Sequence, residues 1–268
     1  MRENKRSRFR TLLYRAAHYL SVCRCIACGE VIGENEVFCE DCADEYRAAK
    51  LSECGICTRS LCNCLCADTA FDRSIIHKHI KLYRYLPDDY EAVGNRILYR
   101  FKKNDINTCF RFLGDELARA ASALLPPDEN YTVAFIPRTP NRILEYGFDQ
   151  SERIAREMSD ALGLSMIKVL KRSMRAKPQK ALRSAAARTK NTEKSLFLRR
   201  GAQKKISGKR IFLVDDVVTS GASMRTAAKL LRDAGASEII AVSVAVVTRT
   251  KNLALEAKEN SRLPFYMR

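Results

Sequence analysis

Two adjacent carboxylates, Asp215 and Asp216, precede a short run of hydroxyl-bearing residues arranged around one glycine. The acids follow the apolar run 211–214 and are placed to accept hydrogen bonds from a vicinal diol or to hold a hydrated Mg²⁺. Residues 219–223 then supply hydroxyls and backbone N–H groups before a helical pattern, which favours an anion such as a phosphate. A simple helix cap would not need two acids and three hydroxyls. The stretch therefore predicts a phosphate-binding loop.

Ten of the eleven cysteines are clustered between Cys23 and Cys66, which favours metal binding over disulfides in a reducing compartment. Two CxxC pairs, ten residues apart, have the spacing of a zinc ribbon or treble clef, with free thiols or a redox-labile set as the alternative. A closed four-thiolate site is structural, because it leaves no coordination position for substrate. A second, weaker pattern follows, and Cys23 and Cys66 are left over. The predicted ligands are Cys25, Cys28, Cys39 and Cys42 in the first site and Cys54, Cys57, Cys62 and Cys64 in the second.

Positive charge is concentrated in residues 168–210, which hold sixteen Lys or Arg and one acid and so carry +15 of the net +17. A solvated basic loop is the ordinary explanation, but this density favours a polyanionic partner: nucleic acid, pyrophosphate or both. Phe101, Phe148 and Phe197 lie beside basic residues and are either stacking platforms for bases or core residues. The predicted nucleic-acid contacts are Lys171, Arg172, Arg175, Lys177, Lys180, Arg183, Arg188 and Lys190.

The elements that must position these residues alternate along the second half of the chain. Strands are expected at 71–85, 131–136, 165–170, 210–214 and 238–247, and helices at 41–49, 89–103, 107–125, 149–162 and 222–234. Strands separated by helices of this length predict an α/β fold, with a mostly parallel sheet covered by helices on both faces. Ligands of such sheets bind at the carboxyl ends of the strands, which is where the acidic pair falls.

We divide the chain into three parts: a basic helix with a cysteine-rich zinc-binding module at 1–70, the α/β domain at 71–250 and a tail at 251–268. The basic helix near the N-terminus is expected to pack on its own domain, with attachment to a membrane surface as the alternative. No apolar run is long enough for a transmembrane helix, and the N-terminus does not read as a secretory signal. We therefore expect a cytoplasmic protein, with the inner face of the membrane as an alternative location.

The loop at 211–223 closely resembles the motif with which type I phosphoribosyltransferases bind phosphoribosyl pyrophosphate (PRPP), and every position fits that motif. The resemblance implies that Asp215 and Asp216 hold the ribose hydroxyls, and that they are the catalytic residues if transfer occurs. It also implies that residues 219–223 hold the 5′-phosphate. The PRPP-binding set is then Asp215, Asp216, Val217, Val218, Thr219, Ser220, Gly221, Ala222 and Ser223.

Around this loop the chain resembles the ComF family, whose members have the type I phosphoribosyltransferase fold and an N-terminal zinc ribbon. The similarity rests on the CxxC pairs, AFDR at 70–73, a stretch at 136–150 that is similar to P-x-P-x-x-x-R…GFNQ, and residues 177–197. Asp149 replaces the usual Asn, and Arg138 lies in the loop that faces pyrophosphate in this fold. Arg138 and Arg142 could clamp a diphosphate, or they could be exposed loop arginines.

Three functions are compatible with these features. The first, which we favour, is a ComF-like accessory to DNA uptake in natural transformation, binding PRPP with Mg²⁺ and single-stranded DNA alongside helicase or translocation proteins. The second is an active phosphoribosyltransferase that moves ribose 5-phosphate from PRPP to an acceptor and releases pyrophosphate. The third is a PRPP-sensing regulator. The expected cofactors are structural Zn²⁺ and the Mg²⁺ that accompanies PRPP.

Overall fold

The computed structural model describes residues 23–67, 71–87, 89–104, 106–125, 131–173 and 195–247. Five strands form one parallel sheet in the order β1-β7-β6-β2-β3. Two further strands, β4 and β5, pair with each other in an antiparallel hairpin. The bounds are β1 (Lys78–Tyr85), β2 (Tyr131–Phe135), β3 (Met166–Ile167), β4 (Leu170–Arg172), β5 (Leu196–Leu198), β6 (Arg210–Val218) and β7 (Glu238–Val247).

The helices that follow β1 occupy connections between the strands, as a parallel sheet requires, and a further helix precedes β1. They are α1 (Glu40–Leu51), α2 (Val93–Lys103), α3 (Asn107–Leu124), α4 (Pro140–Tyr146), α5 (Gln150–Leu162), α6 (Ala202–Ile206) and α7 (Ala222–Asp233), with a 3-10 turn at Leu61–Asn63. Gly147 and Gly163, both with left-handed backbone, end α4 and α5. Within the ranges given above, no helix combines the length and the apolar character needed to cross a membrane.

The two faces of the sheet carry separate apolar cores, because alternate residues of a strand point to opposite sides. On β6, Phe212 and Val214 pack with α2, α3 and α5 on one face. Ile211 and Leu213 pack with α6 and α7 on the other. The predicted fold class, a mostly parallel sheet with helices on both faces, is confirmed.

Two predicted strands differ from the structure. The run predicted as a strand at 71–85 becomes β1 only at Lys78, because Asp72 accepts hydrogen bonds from the backbone N–H and the hydroxyl of Ser74 and makes a turn. The strand predicted at 165–170 divides into β3, which joins the main sheet, and β4, which leaves it for the hairpin. Arg172 at the end of β4 bonds to the Pro137 carbonyl, so the hairpin lies beside the loop that follows β2.

The first cysteine group packs on the core of the sheet. Cys25, Cys42 and Tyr46 are buried in the same cluster as the side chains of α2 and α3. Glu116 of α3, itself buried, accepts a hydrogen bond from the Tyr46 hydroxyl at 3.1 Å and forms an ion pair with Lys50. These contacts join α1, which begins beside the cysteines, to the helical layer of the sheet.

Candidate functional site

The acidic pair and the predicted phosphate loop occupy the carboxyl end of β6, a central strand of the sheet. Asp215 and Asp216 lie in the second half of β6, and α7 begins directly after Gly221. Gly221 has a φ of 70°, a left-handed conformation that glycine adopts without strain. The first helical hydrogen bond runs from the Arg225 N–H to the Gly221 carbonyl, so the preceding N–H groups of the turn are not used by the helix. Residues 217–224 and Asp215 line one small cavity.

Asp215 is enclosed by protein groups that hold its carboxylate in one orientation. The Ser151 hydroxyl donates to Asp215 Oδ1 at 3.1 Å, and the Asp216 backbone N–H donates to the same oxygen at 3.0 Å. Burial raises the pKa of Asp215 to about 8, the charge of Asp216 adds to this increase, and the nearby Arg172 guanidinium opposes it. The carboxyl group of Asp215 therefore titrates close to physiological pH.

Asp216 faces two cations. Its Oδ1 accepts a hydrogen bond from the Val217 N–H at 2.7 Å, while Oδ2 lies 3.9 Å from Arg138 Nη2 and 4.0 Å from Lys102 Nζ. At these separations the charges attract one another but do not form close hydrogen bonds. A phosphate group of a ligand could therefore contact the Arg138 and Lys102 cations, and a metal ion bound to the ligand could contact the Asp216 carboxylate.

Asp149 anchors the loop that follows β2. One oxygen caps α5 by accepting from the Ser151 and Glu152 N–H groups, and the other accepts from the Arg138 N–H at 2.7 Å. Burial raises the pKa of Asp149, and the hydrogen bonds from Arg138 and Glu152 oppose that increase. Asp149 thus uses one oxygen to cap α5 and the other to hold the backbone of Arg138 beside the acidic pair.

Of the two predicted diphosphate contacts, the structure brings only Arg138 next to the acidic pair. Arg142, on α4, donates to Glu145 Oε2 at 2.6 Å and lies within 3.4 Å of the Tyr146 hydroxyl. Both guanidinium groups lie over the Tyr146 ring, at 5.4 Å for Arg138 and 5.9 Å for Arg142. Pyrophosphate contact stays a prediction for both, and the geometry favours Arg138.

Arg172, a predicted nucleic-acid contact, makes its described contacts inside the chain. Its Nε donates to the Pro137 carbonyl at 2.7 Å, its Nη2 donates to Ser223 Oγ at 2.8 Å, and its Nη1 lies 3.5 Å from Ser195 Oγ. The guanidinium thus faces the phosphate loop and the loop after β2, and its contact with nucleic acid stays a prediction. A charge run does not distinguish cations that turn inward from those that face solvent.

Lys171, the neighbour of Arg172, remains on the outside of the hairpin. It pairs with Phe197 across the two strands, and Phe197 is 44% exposed. Phe101 is fully buried and is therefore a core residue, whereas Phe148 is half-buried and packs against the same core. The other predicted contacts, Arg175, Lys177, Lys180, Arg183, Arg188 and Lys190, lie outside the described residues.

Two side chains of the site, Ser151 and Lys102, were not among the predicted residues. Ser151 comes from the first turn of α5, and Lys102 from the end of α2. Nothing in their local sequence marks them, because they reach the acidic pair only through the packing of α2 and α5 near β6.

The first predicted metal set comes together in space. The Sγ atoms of Cys25, Cys28, Cys39 and Cys42 all lie within 4.8 Å of one another, so this group could hold a metal such as zinc. Burial alone would raise the pKa of Cys25, but hydrogen bonds from the backbone N–H groups of Cys28, Cys39 and Ala27 lower it to about 6. Backbone donors that stabilise a thiolate also suit a ligand that must be deprotonated to bind metal.

The second group of cysteines that lie close together differs from the predicted set in one member. Its members are Cys54, Cys57, Cys64 and Cys66, again with all sulfur atoms within 4.8 Å. Cys62 lies in the 3-10 turn, and its Sγ faces Ser60 Oγ at 4.0 Å. The chain then becomes extended, so that Cys64 and Cys66, two residues apart, share one side. Both candidate pairs have C-x-C spacing, and only the backbone conformation separates them.

A buried lysine joins this second group to the sheet. Lys81 of β1 is 5% exposed, and its Nζ donates to Cys64 Sγ at 3.0 Å and to the Cys66 carbonyl at 3.0 Å. A four-thiolate site that binds one divalent metal carries excess negative charge. The Lys81 ammonium offsets part of it, so the surroundings fit a metal-thiolate centre.

Known proteins are similar in sequence to most of this chain. The family model for the phosphoribosyl transferase domain matches residues 143–261, which include β6, the phosphate loop and α7. Competence protein ComFC of Streptococcus pneumoniae strain R6 is 23% identical over 237 residues, covering 81% of this chain and 96% of that protein. The chain therefore resembles this competence protein over most of its length and contains a region of the phosphoribosyltransferase type.

Solved structures similar to this ComF-like protein include two at 22% identity. One is the glutamine PRPP amidotransferase from B. subtilis, with a TM-score of 0.34 over 50% of this chain. The match covers 25% of that enzyme, so the chain spans about a quarter of its length. The other is the protein TT1426 from Thermus thermophilus, with a TM-score of 0.32, covering 56% of this chain and 79% of that one.

Proposed function

We propose that the site at the carboxyl end of β6 binds the ribose-5-phosphate group of PRPP together with Mg²⁺. The observation that carries this proposal is that Asp215 and Asp216 and the start of α7 lie on one continuous strand–loop–helix turn. The carboxylates offer acceptors for a vicinal diol, and the turn offers N–H groups and hydroxyls for a phosphate a few ångströms further along. One ligand that carries both groups matches both halves of the site.

The residues of the site also fit Mg²⁺. Two carboxylates lie side by side, and Mg²⁺ in nucleotide-like sites is held by one or two carboxylates, several waters and the phosphates of the substrate. Asp216 Oδ2 lies beyond hydrogen-bond distance of both Arg138 and Lys102, so it is the better placed of the two acids to receive the ion or its waters. When bound, Mg²⁺ would neutralise the diphosphate of PRPP, and Arg138 would share that task.

Replacement of both acids, Asp215→Asn with Asp216→Asn, is expected to weaken binding of PRPP and Mg²⁺ by at least about a hundredfold, because diol acceptors and metal ligands are lost together. Calorimetry would measure the affinity, and circular dichroism would verify folding. Asp233→Asn, an exposed acid at the far end of α7, is the matched control and should bind as the wild type does. An unchanged affinity in the double variant would exclude this site.

An active transferase and a PRPP-sensing regulator would use the same residues. Release of pyrophosphate separates the two functions, since only transfer breaks the bond between the ribose and the diphosphate. Incubation of the protein with PRPP, Mg²⁺ and candidate nucleophiles, followed by measurement of pyrophosphate, would establish which applies.

We also propose that the ComF-like protein binds single-stranded DNA along the β4–β5 hairpin, as an accessory to DNA uptake. The observation that favours this is the cross-strand pair of Lys171 with exposed Phe197, in the stretch that carries most of the net charge. Arg200, two residues after the end of β5, is exposed. A stacking ring beside cations is the usual composition of a single-strand surface. The pneumococcal relative is named a competence protein.

Binding of a labelled oligothymidine should therefore weaken steeply with salt, with a log–log slope near −3 for about four phosphate contacts. Phe197→Leu should lower the affinity about tenfold, because one base loses its stacking partner. Tyr90→Leu is the control, since Tyr90 is 68% exposed but lies on a different part of the surface, before α2. A flat salt response, or equal behaviour of the two variants, would exclude the hairpin as the DNA surface.

A further inference from the structure

Arg172 connects three segments that lie far apart in sequence. Its guanidinium bonds to the carbonyl of Pro137 after β2 and the hydroxyl of Ser223 on α7, and approaches the hydroxyl of Ser195 at the start of β5. The residue itself ends β4, and the Ser173 N–H donates to the Ser195 carbonyl at 2.8 Å beside it. The hairpin therefore contributes one cation to the edge of the phosphate loop.

The direction of the hydrogen bond between Arg172 and Ser223 determines what Ser223 can offer to a bound anion. Arg172 can only donate, so the Ser223 oxygen accepts from it at 2.8 Å and the hydroxyl proton of Ser223 must point elsewhere. Ser223 lies in the first turn of α7 and lines the small cavity with Asp215 and the loop. A proton that faces this cavity can be donated to a phosphate oxygen, and the adjacent cation strengthens that donation.

We propose that Arg172 is a positioning residue for the phosphate site: it orients and polarises the Ser223 hydroxyl so that its proton is donated to the 5′-phosphate. This inference rests on the proposed function and adds a residue to it that does not itself touch the ligand. The positive charge of Arg172 also opposes the increase in the pKa of Asp215, so a single side chain acts on both the phosphate half and the diol half of the site.

A double-mutant cycle tests the relay, with ribose 5-phosphate as the probe and calorimetry as the readout. Arg172→Met and Ser223→Ala are each expected to raise Kd about tenfold. The combined variant is expected to be no weaker than the worse single variant, since both changes remove the same donated proton. Arg172→Lys keeps the charge but cannot bond to Pro137, Ser223 and Ser195 together, and should lose most of the same affinity.

Arg199→Met separates positioning from a merely structural role. Arg199 also ties the hairpin, through a hydrogen bond from Nε to the Leu170 carbonyl at 3.1 Å, but it does not contact the phosphate loop. It should leave the ribose 5-phosphate Kd unchanged. If Arg172→Met does not fold, the cycle is run with Arg172→Lys.

The outcomes of the cycle are distinct. Additive losses in the Arg172 and Ser223 variants, or an Arg199→Met variant as weak as Arg172→Met, would overturn the relay while leaving the proposed function intact. A wild-type protein that binds neither ribose 5-phosphate nor PRPP would overturn both. Coupled losses that spare Arg199→Met would support the relay.

Discussion

At the scale of single residues, two neighbouring aspartates acquire different surroundings from the same turn. Asp215 points inward to the Ser151 hydroxyl, whereas Asp216 points toward Arg138 and Lys102. Burial removes water from the Asp215 carboxyl group and so raises its pKa. The outer oxygen of Asp216 remains available to a metal ion. The pair can therefore divide the binding of diol and metal between its members.

This difference predicts a pH dependence for binding of ribose 5-phosphate. The pKa of Asp215 lies at about 8, so its carboxyl group is mostly protonated at pH 7 and mostly ionised at pH 9. A diol donates to the ionised form, so affinity should rise about tenfold over this interval. The phosphate ester, with a second pKa of about 6, is already doubly charged there.

Calorimetry from pH 7 to 9 would measure this profile. Asp215→Asn should bind more weakly than the wild type at pH 9 and show a flat profile, because the titrating carboxyl is gone. Asp160→Asn, an exposed acid near the end of α5, is the control and should keep the wild-type slope. A profile that is flat in the wild type, or a slope that persists in Asp215→Asn, would contradict a role for Asp215 ionisation.

At the scale of elements, a short turn selects the ligands of the second cysteine group. Leu61–Asn63 forms a 3-10 turn, and the chain is extended from Cys64 to the bridge between Cys66 and Lys78. In an extended chain, residues two apart point the same way. Cys64 and Cys66 therefore face Cys54 and Cys57 together, whereas Cys62 does not.

Metal analysis of paired serine variants tests this selection. Protein purified without chelator is expected to hold two equivalents of zinc, one in each cysteine group. Cys66→Ser should lose about one equivalent, since three thiolates remain at the second centre. Cys62→Ser is the matched control and should keep both equivalents. Loss of zinc in Cys62→Ser with retention in Cys66→Ser would reverse the assignment.

At the scale of the whole molecule, the described cysteine groups pack directly against the sheet and its helices. Cys25 and Cys42 belong to the apolar cluster of α2 and α3, and Lys81 of β1 contacts Cys64. The buried Glu116 adds an ionic contact between α1 and α3. Metal binding and sheet stability are therefore expected to be coupled, because the same side chains serve both.

Glu116→Gln tests the ionic contact that joins α1 to α3. The substitution removes the charge that pairs with Lys50 and Arg119, and we expect it to lower the free energy of unfolding by about 2–3 kcal/mol. Urea unfolding followed by circular dichroism would measure the loss. Asp115→Asn, the preceding residue on α3, should change stability by less than about 0.5 kcal/mol. A stability change in Glu116→Gln no larger than in this control would show that the contact does not hold α1 in place.

The amino-acid sequence by itself determined the features that are local in the chain. The strand, acidic pair, glycine turn and helix around Asp215 are contiguous, so their hydrogen bonding and apolar period are readable within a few residues. The first cysteine set is likewise defined by two CxxC turns. The alternation of strands and helices was sufficient for the parallel sheet, since it leaves few other ways to cover both faces.

The tertiary structure decided which distant side chains meet. Ser151 and Lys102 reach the acidic pair, and Arg172 reaches Ser223 of the phosphate loop. The three side chains come from separate elements, and their meeting depends on the order β1-β7-β6-β2-β3 and on the hairpin beside it. Such contacts follow from long-range packing, so the periodicity of apolar residues in the sequence does not predict them. Arg172 and Lys171 are adjacent cations in one run, yet one turns toward Ser223 and the other to solvent. Neighbouring side chains of a strand point to opposite faces, and only the fold determines what each face meets.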